Sequence, residues 1–243
     1  MTKLGKLYGI GVGPGDTELL TLKAVSILNS VDVIFSPRSA PRRESIARKI
    51  IEPVLNGKAE VVELVFPMTR EKDRLEQHWS QAADEVASAL RNGKNSAFVT
   101  LGDPFFYSTY IYLYRKLRER YPEIDIITSP GISSAFASAS AAGIPIAIGD
   151  EKVVVIPLPG DVRGIQRYVE MFDTVIILKV GERLKELVEI LASSGLAGNA
   201  ILVQKVSQQG SEKIIFGLSG LTRDELNKVG YLSTVIVKRK LEI

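Results

Sequence analysis

Short apolar, β-branched runs alternate along the chain with amphipathic segments. In the first half, the strand-like runs lie at 7–12, 31–35, 60–65, 96–101 and 124–128. The segments between and after them show helical periodicity, which predicts helices over 17–29, 44–55, 71–92 and 107–120. Strands separated by helices of this length predict right-handed crossovers and therefore a mainly parallel sheet.

The pattern changes after Thr128-Ser-Pro-Gly131, which we interpret as a hinge between two domains, 1–128 and 129–243. Beyond it, the sequence predicts a small-residue helix over 133–142, strands at 152–156 and 174–180, a helix over 182–193, a hairpin of 200–206 with 212–218, a capping box at 222–225 and a final strand at 231–238. We therefore expect an α/β fold of two α/β domains, the N-terminal one with a mainly parallel sheet and the C-terminal one with a mixed sheet.

Composition narrows the possible chemistry. The 243 residues include no cysteine and one histidine, which excludes thiolate nucleophiles, zinc ribbons and multi-histidine metal sites, so we expect no metal. The formal net charge of +3 suits an anionic small molecule or a nucleic acid equally well. The uncharged stretch 126–149 is long enough to cross a bilayer, but its prolines, glycines and hydroxyl residues favour a buried loop and helix. With no signal-peptide pattern at the N-terminus, we expect a cytoplasmic protein.

The stretch YGIGVGPGDTELL (8–20) carries a glycine at every second position from Gly9 to Gly15. It joins a strand to a helix that Asp16 or Thr17 caps, and its glycines permit the close approach of a ligand. A dinucleotide fingerprint starting at Gly11 requires glycine where Asp16 stands, and a Walker loop requires Gly-Lys-Ser/Thr where Asp-Thr-Glu follows Gly15. The stretch therefore matches neither phosphate motif, and a structural turn without a ligand remains an alternative.

Two further loops also follow predicted strands. LGDPFFYSTYIYL (101–113) presents three successive aromatic residues at 105–107, which are typical walls for a planar, partly apolar ligand. In the same loop, Asp103 either accepts hydrogen bonds from a ribose or an amine or serves as a turn and cap residue. The third loop, SPGISSAF (129–136), opens a helix. Because ligands of open α/β sheets bind at the carboxyl ends of strands, we expect the three loops to share one edge.

The set GVGPGD, GDPFFY and PGISS, at this spacing, resembles the tetrapyrrole methylases, the S-adenosylmethionine-dependent enzymes of cobalamin and sirohaem synthesis to which diphthine synthase is related. The segments 5–25, 101–113 and, as the discriminating one, FPMTR at 66–70 are most similar to the C(20)-methyltransferase branch, which acts on precorrin-2 or cobalt-factor II. The resemblance covers essentially the whole chain. It implies a homodimer of two-domain subunits with the active site in the cleft between the domains, S-adenosyl-L-methionine as cofactor and a tetrapyrrole as substrate.

Carried over motif by motif, the resemblance also implies the cofactor contacts. They are Pro14, Leu101, Gly102, Asp103, Phe106, Ser133 and Ser134, with Lys179 or Val180 in ILKVG and Val206 in VQKVS. The family holds its cofactor largely through main-chain groups, which accords with the few charged side chains in these motifs. Where the uroporphyrinogen methylase branch has an aspartate after strand two, this chain reads SPRS, so no general base is assigned.

The substrate side is less determined. The loop 36–44 and the FPMTR segment supply arginines whose guanidinium groups are suited to binding carboxylates in a bidentate manner. The candidate substrate contacts are Arg38, Arg42, Arg43 and Arg70, with Gly13 and Tyr107 from the first two loops. A solvated loop is an equal alternative for the arginines. We expect His78 at the surface, Trp79 in the core, and the tyrosines at 110, 112 and 114 divided between packing and the rim of the site.

The leading hypothesis is methyl transfer to carbon 20 of precorrin-2 or cobalt-factor II, between which the sequence does not choose. A second enzyme hypothesis is a methylase of the same fold that acts at another ring carbon or on a protein, as diphthine synthase does. A third class, an RNA-binding regulator, is disfavoured because the basic residues are few and no RNA-binding motif is visible. We therefore expect neither a nucleic acid nor a membrane as partner.

Overall fold

A computed structural model describes residues 3–40, 44–69 and 71–240, and all structural statements refer to these. The chain divides into two compact units between Ser133 and Ser134. Each unit contains a five-stranded sheet with helices, so the predicted α/β class and the two α/β domains are confirmed. The predicted boundary after Thr128 remains a prediction.

The first unit is built on a fully parallel sheet in the order β3-β2-β4-β1-β5. The strands are β1 (Leu7–Gly11), β2 (Val33–Arg38), β3 (Glu60–Val65), β4 (Ser96–Thr100) and β5 (Ile126–Ser129). The helices are α1 (Leu22–Leu28), α2 (Ile46–Ile51), α3 (Lys72–Arg91) and α4 (Tyr110–Arg120), with 3-10 turns at Thr17–Leu19 and Glu52–Val54. This confirms the expected parallel sheet.

The sheet is covered on both faces, as parallel strands require. On one face α3 and α4 pack against a core that includes Phe98 and Tyr110. On the other face α1 and α2 pack against Ile10 and Ile34. The apolar stripe that predicted α3 supplies Ala82, Val86 and Leu90, each at most 4% exposed, while Trp79 is half-buried and stacks on Tyr112. His78 is half-buried.

Three predicted segments differ in the structure. The helix expected over 17–29 is interrupted, because Thr21 takes an extended conformation and its hydroxyl accepts a hydrogen bond from the Ala24 N–H to start α1. The helix expected over 107–120 begins only at Tyr110. The segment expected to be a hinge starts within the sheet, because β5 continues through Ser129.

The second unit contains a mixed sheet in the order β6-β7-β10-β8-β9, as expected. The strands are β6 (Val153–Pro157), β7 (Thr174–Leu178), β8 (Ala200–Gln204), β9 (Lys213–Phe216) and β10 (Ser233–Lys238). The helices are α5 (Ser134–Ala141), α6 (Ile165–Met171), α7 (Leu184–Ser193) and α8 (Arg223–Asn227), with 3-10 turns at Val162–Gly164, Gly181–Arg183 and Ala197–Asn199.

The predicted hairpin of β8 with β9 is confirmed, and so is the capping box between Thr222 and Glu225. Helix α6, which buries Ile165 and Val169 against the core, is not predicted by the sequence pattern. The final strand, β10, lies in the middle of the sheet and pairs antiparallel with both β7 and β8. Among the described residues, no helix combines the length and the apolar character needed to cross a membrane.

Candidate functional site

The three loops singled out in the sequence meet at one edge of the first sheet. Strand β1 lies between β4 and β5, and all three strands run in the same direction. The loops that follow Gly11, Thr100 and Ser129 therefore leave neighbouring strands at their carboxyl ends, which is the edge where open α/β sheets bind ligands.

One glycine from each loop makes the meeting possible. A Cβ added at Gly11 would lie 2.6 Å from the Gly102 carbonyl oxygen and 2.6 Å from the Gly131 nitrogen. A Cβ added at Gly131 would lie 2.3 Å from the same carbonyl oxygen. Real Cβ atoms essentially never come this close to backbone atoms. We call Gly11, Gly102 and Gly131 the glycine contact. The three backbones lie so close together that no side chain fits between them, and this part of the edge therefore consists of main-chain atoms.

Main-chain hydrogen bonds and one carboxylate join the loops. Gly13 and Gly102 form an antiparallel bridge, in which the Gly102 N–H donates to the Gly13 carbonyl at 2.8 Å and the Gly13 N–H returns a bond at 3.3 Å. Asp103 accepts from the Phe105 N–H at 2.9 Å through one carboxylate oxygen and from the Gly131 N–H at 3.1 Å through the other. Asp103 therefore performs the turn role, and it also links the second loop to the third.

The first loop is not a phosphate site. The Asp16 carboxylate accepts a hydrogen bond of 2.9 Å from the Glu18 N–H, so the chain's own negative charge lies at the start of the 3-10 turn. A phosphate placed there would be repelled. The Thr17 hydroxyl donates to the Ile50 carbonyl at 2.7 Å and anchors the turn to α2, and Pro14 is buried in front of it.

The aromatic residues of the second loop separate into two groups. Phe105 packs against Tyr110 and Tyr114, with ring centroids 5.5 and 5.3 Å apart, so it belongs to the side of α4. Phe106 and Tyr107 form an edge-to-face pair with centroids 4.8 Å apart. Tyr107 has a φ of 52°, an uncommon backbone conformation for a non-glycine residue that often marks functional loops.

Beneath the loops, Tyr110 joins α4 to the sheet. Its ring fills the space left by the missing side chain of Gly9, where an added Cβ would lie 2.2 Å from the ring. The Tyr110 hydroxyl forms a hydrogen bond of 2.8 Å with Thr128 of β5. Burial raises the pKa of Tyr110 to about 12, so the hydroxyl stays protonated at neutral pH.

Three further predicted cofactor positions, Leu101, Ser133 and Ser134, belong to the second and third loops. Leu101 is half-buried and packs against the core under α1 and α2. Ser133 is buried at the end of the first unit, and Ser134 opens α5 in the second unit.

On the substrate side, Arg38 lies at the carboxyl end of β2, which also borders β4. Its guanidinium forms an ion pair of 3.0 Å with Glu63 of β3, and its side chain is 27% exposed. The arginine is therefore held against the sheet rather than extended into solvent. The other three predicted arginines, Arg42, Arg43 and Arg70, lie outside the described residues. Of the discriminating FPMTR segment, Phe66 is a core residue that packs edge-to-face on Phe98.

In the second unit, the loops that carry the other predicted contacts also come together. Ser233, the first residue of β10, accepts from the Lys179 N–H at 3.0 Å through its carbonyl and from the Gly181 N–H at 3.0 Å through its hydroxyl. On the opposite side of β10, Val206 is buried just after β8. The loops containing Lys179, Val180 and Val206 therefore flank the start of the same strand.

Thr128, Ser233 and Lys205 are not among the site residues predicted from the sequence. Thr128 belongs to the predicted hinge, and its pairing with Tyr110 depends on β5 lying beside β1. Ser233 and Lys205 could not be selected, because no local signal reveals that β10 inserts between β7 and β8.

Comparison with known proteins assigns the family. Residues 6–221 match the sequence profile of the tetrapyrrole (corrin/porphyrin) methylases. The chain belongs to this family. This methylase is 40% identical over 236 residues to the probable cobalt-precorrin-2 C(20)-methyltransferase of Methanocaldococcus jannaschii, and the match covers 96% of each chain.

Solved structures with lower sequence identity share the fold. A cobalt precorrin-4 methyltransferase of cobalamin biosynthesis superimposes on the methylase with a TM-score of 0.75 at 22% identity, covering 96% of this chain and 94% of its own. A uroporphyrin-III C-methyltransferase from Thermus thermophilus, solved with S-adenosylhomocysteine, gives a TM-score of 0.68 at 18% identity, covering 97% and 98%.

Proposed function

We propose that this chain transfers a methyl group from S-adenosyl-L-methionine to carbon 20 of precorrin-2 or cobalt-factor II in cobalamin biosynthesis. The observation that carries the proposal is the 40% identity, over nearly the full length of both chains, to the relative named as a probable cobalt-precorrin-2 C(20)-methyltransferase. The arrangement of the three loops supports the cofactor-binding part of the proposal, because it brings the motifs of the first half to one edge of a sheet.

The residues at this edge suit a nucleoside without phosphates. The edge presents main-chain carbonyl groups around the glycine contact, each with a second lone pair that can accept from a ligand, and Asp16 places negative charge where a phosphate would otherwise bind. Phe106 adds aromatic surface suited to an adenine ring, and Tyr107 packs edge-to-face against it. Such a site fits a ligand whose sulfonium group is cationic and whose recognition depends on shape.

S-adenosylmethionine supplies an electrophilic methyl group when bound. We propose that the chain's part in the reaction is to hold the acceptor carbon in line with that group, which requires positioning rather than a strong base. Asp103 fixes the second loop against the third, and Tyr110 fixes α4 against β1 and β5. The proposed cofactor contacts are Pro14, Leu101, Gly102, Asp103, Phe106, Ser133, Ser134, Lys179, Val180 and Val206.

For the tetrapyrrole, we propose contacts from Gly13 and Tyr107 at the loop edge and from Arg38 at the end of β2. The Arg38 side chain is 27% exposed at this end of the sheet, and a guanidinium is suited to binding carboxylates in a bidentate manner. Arg42, Arg43 and Arg70 are proposed as further carboxylate ligands on the resemblance alone. By the same reasoning we propose a cytoplasmic homodimer, which sedimentation of the purified protein would test.

Methyl transfer to precorrin-2 and to cobalt-factor II, assayed separately with an isotopically labelled methyl donor, tests the proposal. We expect one methyl group to be added, with NMR placing the label at carbon 20, and the faster substrate shows whether cobalt enters first. Labelling at another ring carbon, or of a protein instead, would favour the second enzyme hypothesis. Salt-dependent RNA binding without methyl transfer would overturn the proposal.

A matched pair of variants tests the cofactor surface. Phe106→Ala should weaken S-adenosylhomocysteine binding by about 2- to 13-fold, because an aromatic contact contributes about 0.5–1.5 kcal/mol. Phe216→Ala removes a half-exposed ring from β9 in the second unit and should leave that affinity unchanged. Calorimetric titration measures both, and equal affinities for the two variants would remove Phe106 from the site.

A further inference from the structure

Two lysines occupy equivalent positions in the loops of the second unit. Lys179 directly follows β7 and Lys205 directly follows β8, and both have left-handed backbone conformations, with φ of 59° and 48°. This region costs a side-chain-bearing residue free energy that glycine does not lose, and residues held in it concentrate at functional sites. The chain thus keeps a lysine at two positions where glycine would relieve strain.

The start of β10 holds both lysines in register. The Lys179 N–H donates to the Ser233 carbonyl at 3.0 Å, and the Lys205 N–H donates to the Leu232 carbonyl at 2.8 Å. Because β7 and β8 lie on either side of β10, two strand spacings of about 4.8 Å place the two lysine backbones about 10 Å apart at the same end of the sheet. Two flexible side chains at that separation can reach one ligand.

The charges at this end are directed outward. The Lys179 ammonium lies 5.6 Å from the centre of the Tyr231 ring, which is 48% exposed, so a cation–π contact holds it near the surface. Lys205 is exposed, and within the described part of the chain no carboxylate lies at ion-pair distance from its ammonium. By contrast, Lys238 at the other end of β10 is buried and paired with Glu151 at 2.8 Å.

We propose that Lys179 and Lys205 form a carboxylate-binding pair in which the side chains, rather than the main chain, recognise the ligand. The inference rests on the proposed function, which supplies carboxylates from two sources: the amino-acid part of S-adenosylmethionine and the acidic side chains of the tetrapyrrole. Ammonium groups bind carboxylates by charge-assisted hydrogen bonds. The pair therefore explains why strained lysines occupy both loops.

Substitution by glycine separates binding from folding. Lys179→Gly, Lys205→Gly and the double variant should unfold at the wild-type temperature or higher, because glycine adopts the left-handed conformation readily. The double variant should nevertheless bind one carboxylate ligand about tenfold more weakly. Ser207→Gly, at a left-handed residue with φ of 57° in the same loop as Lys205, is the control for backbone relief without loss of charge.

Three ligands, titrated calorimetrically, distinguish the sources. Weaker binding of S-adenosylhomocysteine with unchanged binding of methylthioadenosine, which lacks the amino-acid part, assigns the pair to the cofactor carboxylate. Weaker binding of precorrin-2 alone assigns it to the substrate. Arginine at both positions should restore most of the lost affinity. Wild-type affinity of the double variant for all three ligands would overturn the pair, whereas a wild-type protein that binds none of them would overturn the proposed function itself.

Discussion

Replacing Gly131 with alanine tests whether the glycine contact positions the three loops. The added Cβ would lie 2.3 Å from the Gly102 carbonyl oxygen and 2.6 Å from the carbonyl carbon of Gly11, whereas ordinary contacts begin at 3.4 Å. The chain must therefore open by about 1.1 Å at Gly102, the difference between the two distances. Both neighbours are backbone atoms at strand ends, so no side chain can rotate to relieve the overlap.

The expected loss of stability has two sources, the overlap itself and the hydrogen bonds that the opening breaks. Overpacking of this kind costs about 1–3 kcal/mol, and the bridge between Gly13 and Gly102, at 2.8 and 3.3 Å, would lengthen beyond hydrogen-bonding distance. Each lost bond costs about 1 kcal/mol. We therefore expect the free energy of unfolding to fall by about 3–5 kcal/mol. A shift of the loops by about 1 Å should also lower kcat by about 100-fold.

Urea denaturation and methyl-transfer kinetics measure the two effects. Gly160→Ala is the matched control, because nothing lies within 4 Å of an added Cβ there. Gly102→Ala separates clash from backbone strain, since its Cβ meets no atom closer than 4.0 Å although its φ is +71°. If Gly131→Ala has the same free energy of unfolding and the same kcat as Gly160→Ala, the glycine contact does not position the loops.

Two further predictions concern titratable groups. Burial raises the pKa of Tyr110 to about 12 from an ordinary value near 10. The contribution of the protonated Tyr110 side chain to the free energy of unfolding is therefore fully present below pH 10 and is lost as the pH rises to 12. Alkaline denaturation should therefore cost wild type about 3 kcal/mol over that range that Tyr110→Phe does not lose, and parallel curves would contradict the assignment. The hydrogen bond from Lys238 lowers the pKa of Glu151. The contribution of this ion pair to the free energy of unfolding is therefore present above the ordinary titration range of a glutamate, and it is lost as the pH falls through the lowered pKa. Glu151→Gln should lower Tm at neutral pH and less so in acid, while Lys238→Met should be milder because no buried charge is left unpaired. An equal loss at all pH values would argue against the ion pair.

The sequence alone determined the local elements, because their signals are short-range. Apolar periodicity located α3, the capping box located the start of α8, and alternating β-branched runs located every strand. The same local patterns supplied the three loops and the family resemblance. Predictions were less accurate for short elements: Thr21 caps a separate helix, α1, within the longer predicted helix, and α6 is too short to show a clear period.

Only the tertiary structure decided which elements meet. The sequence shows alternate glycines, but Gly9 is explained by the Tyr110 ring and Gly11 by backbone from two other loops more than 90 residues away. The position of β10 between β7 and β8, which holds Lys179 and Lys205 at one end, is likewise set by pairing between residues distant in the chain. Strand order is fixed by long-range hydrogen bonds and packing, which leave no trace in a local window of residues.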